Sequence, residues 1–352
     1  ACATSALWSI FHGTGILFHH PIFSPAEITK KASEYLPTGT MEARIFPNKG
    51  LSIEQMAYAI RDVSLEPHLI NPTSQFILQC SLYAYLRGKI PALLGFSLYD
   101  AKSDSFIGNH AVAVTGYSIS KNYITKVSES DIHLKSFRID RIYVHDDQVG
   151  PFARMVFDNF KIDDQSEFIK KKVINPEQYS LKTYWCNSEG KIGDIRAIPS
   201  IVLVPLYNKI RIPYSIILNT IIYFNSFIMF LNKDKSLWTD HSFEWDIYLT
   251  TINDFKSEFL NQKYIVGQEL FDVLSEPLPH FIWRATATLD KQPVLDLLFD
   301  ATDIEQGEFL LKMIEYDKEI CSAIRSFSKV EEINKIFSAS PAKEIIANLR
   351  KS

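Results

Sequence analysis

At 352 residues the chain is long enough to bury a large core and to form two domains, or one core with an appended half. With 46% hydrophobic and 22% charged residues it has an ordinary globular composition, and a net charge of −4 without a long Lys/Arg run argues against nucleic acid as the main partner. Four scattered cysteines (Cys2, Cys80, Cys186, Cys321) exclude a disulfide scaffold or a CxxC metal site and suit a reducing, cytoplasmic compartment.

The chain opens on Ala1-Cys2-Ala3-Thr4-Ser5, followed by an apolar pattern at Leu7, Ile10 and Phe11 that predicts a helix to about Leu17. Cys2 therefore sits at a helix N-terminus, where the partly positive helix end favours the reactive thiolate. Gly13 and Gly15 either end this helix or allow a close approach, and His19-His20-Pro21 stops it. The two histidines lack a third ligand at metal spacing and read as a solvated helix end. No signal peptide is visible. The chain opens on Ala rather than Met, which leaves the start of the gene product and any targeting information open.

Ser24-Pro25-Ala26-Glu27 is a helix start, leading to about Tyr35. Ser52 with Gln55 forms a capping box for a helix whose buried stripe is expected at Ile53, Met56, Ala57 and Ile60. A further helix is expected over Pro72–Arg87, with Cys80 as a core thiol. The period then changes to that of strands, at Ile90–Leu98, His110–Tyr117 and Phe137–His145. Helices first and an antiparallel sheet after is an α+β layout. It puts His110 at the head of one strand and Asp146 at the tail of another.

Cysteine, histidine and aspartate in this order are the parts of a thiol hydrolase. In this sequence they are Cys2, His110 and Asp146 or Asp147. Alternation puts Asp146 and Asp147 on opposite strand faces, so that only one carboxylate is expected to meet His110. Alternation alone leaves open which of the two it is. His145 reads as a rim residue.

Four segments carry a resemblance to a known family. They are the cysteine opening the first helix, Gly50-Leu51-Ser52 through Met56, the run His110-Ala111-Val112-Ala113-Val114-Thr115-Gly116-Tyr117, and Tyr143-Val144-His145-Asp146. Over about residues 1–150 the chain resembles papain-like cysteine peptidases, and most closely their bacterial C39-like branch. The resemblance implies a papain-like fold, a helical subdomain packed on an antiparallel sheet, and acyl transfer through a thioester on Cys2 as nucleophile. It implies His110 as the base and Asp146, by register with the Tyr-Val-x-Asp pattern, as the group orienting the imidazole; Asp147 stays open as the third member. It also implies an oxyanion-hole glutamine a few residues before the cysteine, a position that lies upstream of Ala1. The sequence departs from the family where proline commonly follows the aspartate, since Asp147 stands there, and in a longer, charged Ser118–Ser136 segment that is expected to overhang the site.

In the second half Pro151–Phe160 reads as a strand, Asp163–Lys172 as a charged helix, Asn175–Gly193 as a loop and Ile198–Leu206 as a firm strand. The domain boundary is placed near Leu206, giving a hydrolase domain over 1–206 and a C-terminal domain over 207–352. Pro213–Leu231 is long enough for a bilayer, but Asn219, Thr220, Asn225 and Ser226 interrupt it, so a buried or partner-facing helix is expected. Strand and helix patterns then alternate: Glu244–Thr251, Asp254–Asn261, Gly267–Leu274, Phe281–Leu289, Gln292–Phe299 and a helix over about Gln306–Ile324. This suggests an α/β unit without a recognised family. Asp300, Asp303 and Glu305 read as turn and cap residues rather than a cation site.

The resulting expectation is a cysteine hydrolase acting on a peptide or isopeptide bond, without cofactor or metal. Its partner would be a peptide or protein substrate rather than nucleic acid or membrane, and the oligomeric state is not legible. The competing readings are a catalytically inactive papain-like module that binds a peptide or protein, and a deamidase or acyltransferase using the same triad.

Overall fold

The computed structural model describes residues 2–35, 50–120, 132–163, 166, 179–186, 189–235, 243–304 and 308–351. The protein is mixed α+β and divides into two compact units, Ala1–Tyr123 with Arg138–Asn208, and Ile124–Phe137 with Lys209–Ser352.

The first unit begins with α1 (Cys2–Phe18), α2 (Pro25–Ser33) and α3 (Ile53–Asp62). Ser24 and Ser52 both cap as their sequences imply, each in a capping box, with Glu27 and Gln55 as reciprocal partners. The buried stripe of α3 is Gln55, Met56, Ala59 and Ile60 rather than the one expected; Ile53 is exposed. Gly13 and Gly15 lie inside α1, and a Cβ on Gly13 would stand 3.0 Å from Pro91 Cγ, so this glycine serves close approach. The three helices bury Leu7, Ile10, Phe11, Ile28 and Ile60 against a floor of Leu93, Ala111, Ala113 and Leu203. The two alanines keep that floor low where α1 lies.

The strands of this unit are β1 (Leu65–Ile70), β2 (Ala92–Asp100), β3 (Ser105–Ile119), β5 (Ile139–Asp146), β6 (Gly150–Lys161), β7 (Tyr179–Lys182) and β8 (Ile195–Tyr207). They pair antiparallel in the order β1-β8-β2-β3-β5-β6-β7, and β7 also pairs with β8, so six of them close into a ring. One edge of β8 pairs with β2 from Ile195 to Leu203, while the other meets β7 at Ala197 and Arg196 and β1 from Val202 onward. Between β1 and β2 runs α4 (Gln75–Arg87), capped by Ser74 and holding Cys80 fully buried.

After β3 the chain contributes β4 (His133–Leu134) to the second unit, where it pairs in parallel with β9 (Glu244–Thr251). The expected overhang of the Ser118–Ser136 segment falls largely on residues outside those described, as does most of the Asp163–Lys172 helix.

The second unit holds α5 (Tyr214–Lys235), β9, α6 (Ile252–Leu260), α7 (Gly267–Ser275), β10 (Phe281–Leu289), β11 (Gln292–Asp300), β12 (Leu310–Glu315), α8 (Lys318–Ser328), α9 (Glu331–Phe337) and α10 (Lys343–Lys351). Strands β9 to β12 are antiparallel, in the order β12-β11-β10-β9-β4, and not the parallel crossovers of an α/β unit. A two-residue turn joins β10 to β11 with Asp290 at φ 49° and Lys291 at φ 68°, which only an antiparallel hairpin can use. Helices cover both faces, with Phe255, Phe259 and Val273 against Ile282, Leu298 and Ile314 on one side. This two-sided burial gives the strands the apolar look of an α/β sheet. The expected helix over Gln306–Ile324 is instead β12 followed by α8. Leu, Lys, Met and Glu in β12 favour helix, but pairing with β11 overrides propensity.

Helix α5 packs within this unit. Phe224 meets Trp245 edge-on, and Phe227 meets Phe327 and Phe337. Its polar interruptions have internal roles, since Asn225 Oδ1 accepts from Trp245 Nε1 at 3.0 Å and Thr220 Oγ1 donates to the Ile216 carbonyl. By length and composition Tyr214–Lys233 is long and apolar enough to cross a membrane, and 56% of its apolar window is buried inside the protein.

The ring of the first unit is tight at Gly95, where a Cβ would stand 2.7 Å from Ile201 Cγ2 on the paired strand. Ile201 is β-branched and cannot turn away freely. Gly95→Ala is expected to lower the unfolding free energy by about 1–3 kcal/mol. The effect would be read as a lower urea midpoint at unchanged slope, and an unchanged midpoint would show that β2 and β8 separate without cost.

Candidate active site

Cys2 is the first residue of α1, whose first-turn N–H groups have no acceptor inside the helix and present partial positive charge. His110 lies within β3, five residues past its start and opposite Phe96 on β2, and not at the strand head. Asp146 is the last residue of β5, and β3 pairs Ala113 with His145 beside it. The three residues come together from three elements.

His110 and Asp146 are 5% and 7% exposed, and His110 Nε2 lies 3.0 Å from Asp146 Oδ2. Both oxygens of Asp146 are filled further. Trp185 Nε1 donates to Oδ2 at 3.1 Å, and the backbone N–H groups of Gln148 and Val149 donate to Oδ1 at 2.8 and 3.0 Å. Burial opposes the charge on this carboxyl, but the His110 bond and the two turn amides outweigh it and hold Asp146 below the ordinary carboxylate value.

With Nε2 engaged by Asp146, Nδ1 is the ring nitrogen left free of the carboxylate, and the imidazole interacts with the Cys2 thiol. Burial disfavours a charged His110, yet the bonds to Asp146 and Cys2 and their negative charges push it up to about 9 from 6.5. Burial likewise opposes a Cys2 thiolate, but the His110 bond and charge and the Ala111 backbone N–H bring the thiol below its ordinary 9.0. Cys321, buried beside Glu315 and Asp317, goes the other way, to about 12. Both shifts in the first pair favour the thiolate–imidazolium form over the neutral thiol and imidazole.

The rings around His110 shape this environment. Trp185 meets it edge-on at 4.9 Å and Phe96 at 5.5 Å between centroids. Sequence reasoning missed Trp185, which stands in a stretch without period; its only signal is a tryptophan beside Cys186, the one exposed cysteine of the four.

Asp147 also reaches the site, with Oδ1 3.7 Å from His110 Nε2. This corrects the expectation that only one carboxylate meets the imidazole. Strand alternation does not extend past Asp146, because β5 ends there. His110, Asp146 and Asp147 offer donor atoms within 4.8 Å of one another, a spacing a metal can bridge. Both oxygens of Asp146, however, accept from N–H donors, the surroundings of a carboxylate that orients an imidazolium.

The other candidates lie elsewhere. His20 Nε2 is 2.8 Å from Thr14 Oγ1, and its Nδ1 donates to the Pro21 carbonyl at 2.7 Å, which makes it a structural histidine at the end of α1. His145 packs on the edge of Phe152, and its buried Nε2 has no hydrogen-bond partner among the described residues. Asp300 Oδ1 accepts from the Thr302 N–H and hydroxyl, and Asp303 caps Ile304, both in turn roles. Glu305 lies outside the described residues. No protein-family model, curated protein or solved structure matches the chain.

The pH dependence follows from these shifts. His110 is raised from 6.5 to about 9, so its contribution to stability is full below pH 6.5 and is lost as pH rises through about 9. Asp146 is lowered from 3.8, so its contribution is present above that value and is lost as pH falls through its depressed folded value. Asp146→Asn keeps an oxygen for the turn amides and removes the charge. Its His110 ring resonances are expected to titrate well below 9, toward 6.5; an unmoved titration in NMR would show that Asp146 does not hold the imidazolium.

Proposed function

We propose that this chain is a thiol hydrolase of the papain-like, C39-like kind, with Cys2 as nucleophile, His110 as acid and base, and Asp146 as the orienting carboxylate. The observation that carries this reading is the buried relay in which one imidazole interacts with the helix-end thiol and bonds a carboxylate that three other N–H donors also fill.

In this reaction the Cys2 thiolate attacks a carbonyl carbon, and the carbonyl oxygen takes up the negative charge. The Cys2 backbone N–H at the start of α1 would donate to that oxygen. As the intermediate collapses, His110 passes its proton to the departing amine and an acyl thioester remains on Cys2. His110, now neutral, takes a proton from water; the hydroxide adds to the thioester, and the thiolate leaves with the acid product. Asp146 keeps the ring oriented throughout and stabilises its charged form. The leaving amine of a peptide or isopeptide bond fits these steps, with a peptide or protein as substrate. An amide side chain or an amine acceptor would run through the same thioester as deamidation or acyl transfer. A reducing setting such as the cytoplasm belongs to the proposal, since the chemistry needs a free thiol at Cys2.

A mixed library of cellular peptides and isopeptide-linked conjugates, read by mass spectrometry, tests the proposal. Cys2→Ala and His110→Ala are each expected to lower the rate of any cleavage or amide loss by about 10³-fold or more. Products formed equally by wild type and Cys2→Ala would contradict the assignment, as would binding of a library member without turnover, which is what an inactive module would show.

A further inference from the structure

The sheet of the second unit ends in a strand whose outer edge is unpaired among the described residues, since β12 pairs with β11 alone. The Tyr316 N–H donates to the Val294 carbonyl at 2.9 Å, and this sets the alternation of the ladder. Ile314 opposite Asp296 and Lys312 opposite Leu298 turn their N–H and C=O groups toward β11, and Met313 and Glu315 turn theirs outward. A cavity of about 500 Å³ runs along that edge. All six residues of β12 line it, with Glu269, Asp272 and Val273 of α7 on one side and Asn348 of α10 on the other.

The start of the edge shows what its backbone seeks. The N–H groups of Phe309 and Leu310 both donate to the Glu344 carboxylate of α10, each at 3.0 Å. Further along, Met313 and Glu315 offer alternating donors and acceptors at the spacing an extended chain matches. The floor is apolar, with Val273 and Leu311 in the same hydrophobic cluster. The charge is one-sided. Lys312 is paired with Glu276, Arg325 with Glu315 and Lys318 with Glu269, whereas Asp272 has no basic partner among the described residues and accepts only from the Gln268 amide.

We propose that this groove binds an extended peptide segment as an added strand along β12, with a basic side chain opposite Asp272 and apolar side chains on the floor. A second copy of this chain fits less well, because the basic groups of its own edge region, Lys312, Lys318 and Arg325, are already paired and leave no cation for Asp272. The site stands on the second unit alone and does not depend on the chemistry of Cys2.

The test uses the full chain and a fluorescein-labelled octapeptide of alternating valine and lysine, followed by anisotropy. Saturable binding is expected. It should be lost when every second amide of the peptide is N-methylated, which blocks strand pairing, and when glutamate replaces lysine. Asp272→Lys, an exposed change on α7, should weaken binding by about tenfold with the circular dichroism unchanged. No saturable binding, equal binding of the N-methylated peptide, or full affinity in Asp272→Lys would each overturn the proposal. So would a dimer of the chain alone in sedimentation that Met313→Pro disperses, since the edge would then belong to a second copy.

Discussion

The first unit is organised around one buried charge pair, the His110 imidazole against the Asp146 carboxylate. Two ionisable groups taken this far out of water are costly unless every lone pair and proton is engaged. The sheet meets that demand with local means. β5 stops at Asp146, so the turn that follows can aim the Gln148 and Val149 amides back at one carboxylate oxygen, and Trp185 closes the other. The Asp146 carboxylate engages one imidazole nitrogen, and α1 brings Cys2 to the same imidazole. The alanines at 111 and 113 matter for the same reason: they keep β3 low where the helix start comes down. Packing and chemistry are one requirement here, since a bulkier floor would lift the thiol away from the ring.

Much of this arrangement is legible in the amino-acid sequence, for definite reasons. The N-cap at Ser24 and the capping box at Ser52 are local signals and appear in the structure. The alternating run after His110 marks a strand because its neighbours on both sides bury it. The unread parts depend on distant partners. β1 contains Pro67 and pairs only at the outer edge of β8. The ring closes through a two-pair contact between β7 and β8 that no local pattern announces. Trp185 sits in irregular chain, and its role exists only once β5 ends where it does. Asp147 reaches His110 because strand alternation ends with β5 at Asp146 and does not govern the residue after it.

The second unit carries a parallel lesson. Its strands are buried on both faces, and helices stand between them in sequence, which is the outward pattern of an α/β fold. The two-residue Asp290–Lys291 connection was the contrary signal, because no crossover fits in so short a turn. β12 has the composition of a helix and is a strand only through its pairing with β11. Asn225 of α5 likewise makes sense as the acceptor for the Trp245 indole, a role invisible until the helix is laid on the sheet.

The central claim is that His110 holds Cys2 as a thiolate. The direct measurement is the rate of Cys2 alkylation by iodoacetamide against pH, resolved by mass spectrometry from Cys80, Cys186 and Cys321, in wild type and His110→Ala. The account predicts a reactive plateau in the wild type that extends well below the ordinary thiol value of 9.0, and its replacement in His110→Ala by a single ordinary titration. The same ordinary titration in both proteins would contradict it.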